Sequence, residues 1–265
     1  MLMRALLITL ISLNLYAGII IPPLEDVIQR NNQSVENLLY PKKDYSLLVW
    51  NIYKQAKDDF YRDEMFIRGF DFSLLQEISQ DNTFELFIKG FISDYIFAAS
   101  FLDDGIGTGV GVISRVKINE YDFVRSYARE PVIKTPKMAA IADIKIFQSN
   151  KSLKMISIHA VNFVRLWAFK KHIDQVFEKV KDHKGPMIWA GDFNTWNKSR
   201  LNYLVYKLKQ LKLTHLSLKD SHLVKKFMGK PLDHIFVRGI SVKSARAIAK
   251  PDQSDHNPLV LKFSL

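Results

Sequence analysis

From position 45 to position 263 the chain repeats one pattern: a short apolar run rich in β-branched and aromatic residues, then a cluster of turn residues. Runs of that length and composition read as strands. They fall at 45–53, 72–78, 94–101, 109–114, 138–147, 153–161, 187–190, 232–237, 242–249 and 259–263. Helical patterns interrupt them. Residues 59–70 read as one helix. Residues 165–184 carry Leu166, Phe169, Ile173, Val176, Phe177 and Val180 at helical spacing, and Gly185-Pro186 stops them. Leu201, Leu204, Val205, Leu208 and Leu211 mark another. Strands interspersed with helices predict a single α/β domain over 44–265. There is no repeat and no low-complexity tract. The polar stretch 24–43 reads as a linker.

The amino terminus stands apart. Arg4 precedes an apolar run from Ala5 to Ile21 that ends at Pro22-Pro23. A positive start, an apolar middle and a small residue, Ala17, at a possible cleavage point predict a signal peptide in 1–23. The rival is an uncleaved membrane anchor, for which the run is short. The expectation is export, periplasmic or secreted, with cleavage favoured over anchoring. An anchor would bring membrane contact through this segment.

The 265 residues include 38 Lys and Arg against 27 Asp and Glu, a formal charge of +11. That field favours anionic partners such as nucleic acid, lipid headgroups or small phosphoesters, although the lysines are scattered. The absence of cysteine excludes disulfides, thiolate metal sites and cysteine nucleophiles. A domain of this size needs no such staples, and a monomer is expected.

The unusual polar residues sit at strand ends. Asn51 follows Leu-Leu-Val-Trp, Glu77 follows Leu-Leu-Gln, and His159 follows Ile-Ser-Ile. Asp192 and Asn194 follow Met-Ile-Trp-Ala-Gly, and Asp255-His256 precedes the last strand. Taken singly, each has an ordinary explanation as a turn residue, a cap or a solvated strand end. Together they put carboxylates, amides and histidines where strand ends sharing a rim converge.

The ordered strings Trp50-Asn51, Leu75-Gln76-Glu77, His159, Gly191-Asp192-Phe193-Asn194, Leu232-Asp233-His234-Ile235-Phe236 and Ser254-Asp255-His256-Asn257-Pro258 resemble the endonuclease/exonuclease/phosphatase superfamily. That superfamily includes deoxyribonuclease I, inositol polyphosphate phosphatases and neutral sphingomyelinases. The resemblance covers nearly all of 45–265. The wider strings 49–55, 158–163 and 229–233 look like a bacterial branch of exported or membrane-associated proteins. The resemblance implies a four-layer α-β-β-α sandwich of two packed mixed sheets flanked by helices. It implies hydrolysis of phosphoesters by in-line attack of water, with Mg²⁺ or Mn²⁺.

By the same resemblance, Glu77 with Asn51 is the main metal site, and Asp255 is a further ligand or outer carboxylate. Asp192 orients or deprotonates the attacking water, or binds a second metal. Asn194 donates to a phosphate oxygen. His256, held by Asp233, faces the phosphate. His159 is the second such histidine and a candidate general acid. Asn162, Arg129 and Arg165 are weaker phosphate contacts. His234 is expected to point away from Asp233 and to be structural. His172, His183, His215 and His222 are expected on helices or at the surface.

A phosphodiesterase or nuclease is the leading function. The alternatives are a hydrolase of phospholipid headgroups or small phosphoesters, and a non-catalytic binding protein on the same scaffold. Phe163, Trp167 and Trp196 are near the motifs, with Trp167 expected in the core.

Overall fold

The computed structural model describes residues 18–32, 37–41, 43–56, 60–91, 93–249 and 254–265. In chain order the strands are β1 (Ile19–Ile20), β2 (Ile28–Asn32), β3 (Tyr45–Asn51), β4 (Phe72–Ser79), β5 (Asp94–Asp103), β6 (Ile106–Ser114), β7 (Glu120–Arg125) and β8 (Met138–Lys145). They continue as β9 (Ser152–His159), β10 (Met187–Asp192), β11 (Thr214–His215), β12 (Lys226–Phe227), β13 (Lys230–Pro231), β14 (Asp233–Arg238), β15 (Ser241–Ala247) and β16 (Leu259–Ser264). The helices are α1 (Phe60–Ile67), α2 (Asn82–Lys89), α3 (Leu166–Val180) and α4 (Lys198–Lys209).

Two mixed sheets form the middle layers. One runs β1-β5-β6-β4-β3-β16-β15, with β2 also on β5; the other runs β11-β14-β10-β9-β8-β7. Each has a parallel pair near its centre, β3 with β4 and β9 with β10. The apolar faces of both sheets meet in a core that includes Val49, Leu74, Val112, Met155, Ile188 and Leu261. The outer face of the second sheet buries Trp189 and Ile156 against Phe169, Ile173 and Val176 of α3 and Leu204 and Leu208 of α4. The outer face of the first buries Trp50 and Leu75 against Ile67 of α1 and Phe84 and Phe87 of α2. The result is the α-β-β-α sandwich the sequence led us to expect.

Beyond α2 and β7, for which the sequence reading offers no element, three further features differ from it. The stretch 24–43 is not merely a linker: Ile28–Asn32 pairs antiparallel with β5, and Val27 and Leu39 are fully buried. Arg30 clamps this polar strand by donating to both carboxylate oxygens of Asp94, at 3.0 and 2.6 Å, and to Ile118 O at 2.7 Å. Second, residues 18–23 of the amino-terminal segment belong to the domain, since Ile19 and Ile20 pair with Asp103 and Leu102. Residues 1–17, which hold the rest of the signal or anchor segment, are outside the described residues. Third, Trp167 is 63% exposed rather than core. It lies two positions from Phe169, which puts it on the opposite side of α3 from the buried stripe.

Candidate active site

The two central parallel pairs end at the same rim, and the polar residues stand there. In the second sheet the register sets His159, Asp192 and Asp233 side by side on β9, β10 and β14. Gly191 makes this row possible. Its φ is +140°, and a Cβ there would lie 2.1 Å from Ile158 O. In the first sheet Asn51 ends β3, and Glu77 occupies a register shift in β4 with φ at 53°. A bulge of this kind re-aims one side chain, here a carboxylate, while the strand continues. Gln76 and Ser157 tie the sheets together beneath the site through a buried hydrogen bond of 3.0 Å.

The last site segment is sewn to β3. Ser254 Oγ donates to Asn51 O at 2.6 Å, His256 N donates to Ser254 Oγ at 3.0 Å, and Trp50 Nε1 donates to His256 O at 2.8 Å. These bonds place His256 over Asp233, with Nδ1 at 2.9 and 3.1 Å from the two carboxylate oxygens.

The Asp192 carboxylate is the centre of the cluster. Its Oδ2 lies 3.3 Å from Asn51 Nδ2, 3.6 Å from His159 Nε2 and 3.9 Å from His256 Nε2. Its Oδ1 accepts from Asn194 N at 2.9 Å. Glu77 Oε1 lies 3.1 Å from Asn51 Nδ2 and 3.9 Å from His159 Nε2. Asn194, at φ 50°, donates its side-chain amide to Ala160 O at 2.9 Å. Asp255 stands at the rim, 2.9 Å from Lys225 Nζ and 3.9 Å from His256 Nε2.

The two histidines are held in opposite states. Burial lowers His159 well below the ordinary histidine range, and the nearby Lys137 charge adds to this. Burial also opposes charge on His256, but the charge and hydrogen bond of Asp233, with Asp192 and Asp255, outweigh it and raise the group to about 10. Burial pushes Asp192 up, against the imidazolium of His256.

The structure brings Glu77, His159, Asp192, Asn194, Asp255 and His256 to the cleft, with Asn51 behind Glu77 and Asp192, and Asp233 directly behind His256. Asn162 also lines it. The Asn162 oxygen accepts from Trp196 Nε1 at 2.9 Å and from Phe163 N at 2.8 Å, which turns its amino group outward. Arg129 and Arg165 are exposed and do not line the cleft. His234 points away from Asp233 as expected, with its Nε2 2.6 Å from Thr195 Oγ1 and its Nδ1 3.0 Å from His215 Nε2. His172 is on a helix as expected, but buried.

One ligand assignment changes. The Asn51 amide oxygen accepts from Tyr53 N at 3.1 Å, so it is the amino group that faces Glu77 and Asp192. In this arrangement Asn51 positions two carboxylates instead of offering an oxygen to a cation. Sequence reasoning also missed Lys137, Glu130 and Lys225 in the cleft wall. Glu130 accepts from Asn162 N at 3.1 Å and lies 3.4 Å from Lys137 Nζ. All three sit in connecting segments between the strands, where a charged residue resembles solvated surface in sequence.

The Asp192, Asp233 and His256 ligand atoms lie within 4.8 Å of one another. His256 Nδ1 is committed to Asp233, however, and a hard cation takes oxygen donors. The oxygens that fit one are those of Glu77 and Asp192, with Asp255 at the rim. A family model described as Endonuclease/Exonuclease/phosphatase family matches residues 48–256, which spans every one of these groups.

The chain belongs to the endonuclease/exonuclease/phosphatase family.

A UPF0294 protein of Vibrio parahaemolyticus is 32% identical over 224 residues, covering 83% of this chain and 78% of its own. Among solved structures, an endonuclease/exonuclease/phosphatase from Beutenbergia cavernae superposes with a TM-score of 0.68 at 16% identity, over 84% of this chain and 72% of that one. The human Nocturnin catalytic domain, solved with a bound sulfate anion, gives 0.65 at 17% identity, over 89% and 97%. These likenesses carry the fold. Family members generally use divalent metals to cleave phosphoester bonds, and the oxygen donors of this cleft suit one.

Proposed function

We propose that this member of the family is a divalent-cation-dependent phosphoester hydrolase that uses Mg²⁺ or Mn²⁺. The supporting observation is the convergence of Asn51, His159, His256 and Asn194 on the single carboxylate of Asp192.

Glu77 and Asp192, with Asp255 at the rim, would hold the cation. When bound, it polarises a phosphoryl oxygen and offsets charge that grows in the transition state. Asp192 takes a proton from the attacking water as the new oxygen–phosphorus bond forms and the bond to the leaving oxygen breaks. His256, kept protonated by Asp233, gives its proton to the leaving oxygen as that bond breaks. Neutral His159, the outward amide of Asn162 and the Lys137 ammonium complete a set of polar groups fixed before substrate arrives.

A soluble chromogenic diester tests this directly. Turnover should stop in EDTA and return with added Mg²⁺ or Mn²⁺. Turnover that chelation leaves untouched would overturn the cation's role.

A further inference from the structure

Two tight turns project beside the cleft, and both end in apolar side chains. Between β7 and β8, Glu130 and Lys134 close a turn through Lys134 N to Glu130 O (3.0 Å) and Glu130 N to Thr135 O (3.0 Å). At its tip Val132 is 74% exposed, and Ile133, which lines the cleft, is 37% exposed. The second turn joins β12 to β13. Met228 and Gly229 have φ of 49° and 73°, the two left-handed residues of a short hairpin turn. Met228 is 74% exposed and Phe227 44% exposed. Phe163 joins this tip to the cleft: it lines the cleft, and its ring lies 5.9 Å from Phe227 in T-shaped contact. Val132 and Met228 leave about three quarters of their surface in solvent, and Ile133 and Phe227 more than a third.

Basic residues flank both tips. Lys134, Lys226 and Lys230 are exposed, and Lys225 reaches from the hairpin to Asp255. Apolar tips within a basic collar fit a surface that is anionic outside and apolar a few ångströms in. Single-stranded nucleic acid fits less well, because bases stack on aromatic faces, and of the four tip side chains only Phe227 has one.

The entry of the chain gives an independent reason. The apolar run that begins at Ala5 enters the described domain at Gly18, whose carbonyl accepts from Asp104 N at 3.1 Å. Ile19 and Ile20 continue along Asp103 and Leu102, next to Phe101, a cleft-lining residue. Gly18 therefore lies at the same end of the sandwich as the cleft, so an uncleaved amino-terminal run would meet a bilayer on that side.

We propose that the mouth of the cleft docks on an anionic lipid bilayer, with the Val132–Ile133 turn and the Phe227–Met228 hairpin inserted. The phosphoester it cleaves then lies in the headgroup layer, a consequence that depends on the hydrolase activity proposed above.

The absence of native cysteine allows a clean test. Met228→Cys is made in the full chain and labelled with an environment-sensitive fluorophore. Asn150→Cys, in the exposed turn before β9 and so at the opposite end of that strand from His159, serves as the control. Both are reconstituted with phosphatidylcholine vesicles containing phosphatidylglycerol. Docking predicts a blue shift at position 228, quenching there by acyl-chain nitroxides, and neither change at position 150. A label that stays in water at 228 while the chain floats with the vesicles overturns the proposal. A label that responds to an oligonucleotide but not to vesicles overturns it in favour of nucleic acid. Turnover of a soluble diester by the same labelled proteins is measured in parallel. Its loss from all of them, with the fluorescence shift intact, refutes the hydrolase and leaves the docking surface standing.

Discussion

Asp233→Asn isolates the charge that holds His256 protonated. The substitution keeps an oxygen near His256 Nδ1, now 2.9 Å from Asp233 Oδ2, and removes the negative charge. In the wild type His256 is raised from 6.5 to about 10, against the opposing effect of burial. A group raised on folding contributes stability that is complete below its unfolded value and fades as pH rises through its folded value. The window is therefore pH 6.5 to 10. That shift supplies about 3 kcal/mol that is lost between pH 6 and pH 9. Urea unfolding in EDTA at those two pH values, on wild type and variant, measures it. The wild type should lose stability across the window, while the variant should lose much less and be weaker at pH 6. A proton NMR titration of the His256 ring should show the wild type still charged at pH 8 and the variant neutral. Parallel stability profiles, or a wild-type ring that titrates near 6.5, would refute the charge-pair reasoning.

Acid should act through other histidines. His172 and His234 are buried and lowered to about 3, chiefly by that burial. A depressed base loses stability as pH falls below its unfolded 6.5, so each should cost about 2 kcal/mol at pH 5. His172→Gln should flatten that slope in a urea series. Gly191→Ala places a Cβ 2.1 Å from Ile158 O in the middle of the site row. It should cost on the order of 3 kcal/mol or more, read as a drop in thermal midpoint together with lost activity. Arg200 is fully buried and donates to Val161 O, Asn194 O and Val164 O at 3.0, 3.0 and 2.8 Å. Arg200→Leu should cost about 3 kcal/mol by leaving those carbonyls unpaired, with hydrolysis reduced because the same bonds tie the His159 loop to Asn194.

The legible part of this protein is the part whose constraint lies along the chain. Buried strands such as β3, β4 and β10 are apolar on both faces, so composition alone marks them. The long helix α3 shows its buried stripe as spacing, although Trp167, expected in the core for its size, falls outside that stripe. β2 was illegible because its sequence, Ile-Gln-Arg-Asn-Asn, is polar; pairing with β5 and the Arg30–Asp94 clamp make it a strand. The sequence reading offers no element at α2, although Asp81 caps that helix by accepting from Phe84 N. At the site, strand-end position exposed Asp192, His159 and Glu77. The wall residues Lys137, Glu130 and Lys225 become visible only when turns distant in sequence close on the cleft. The role of Asn51 turns on which end of its amide Tyr53 holds, and no spacing rule carries that.

The decisive measurement is the rate at which Asp192→Asn hydrolyses bis(4-nitrophenyl) phosphate in saturating Mg²⁺, on protein shown by circular dichroism and thermal melting to be folded. Asp192 carries the proton from water and helps hold the cation, so the rate should fall by at least about 100-fold relative to wild type. A folded variant that retains wild-type turnover within a few-fold would contradict the assignment of Asp192 as the centre of the site.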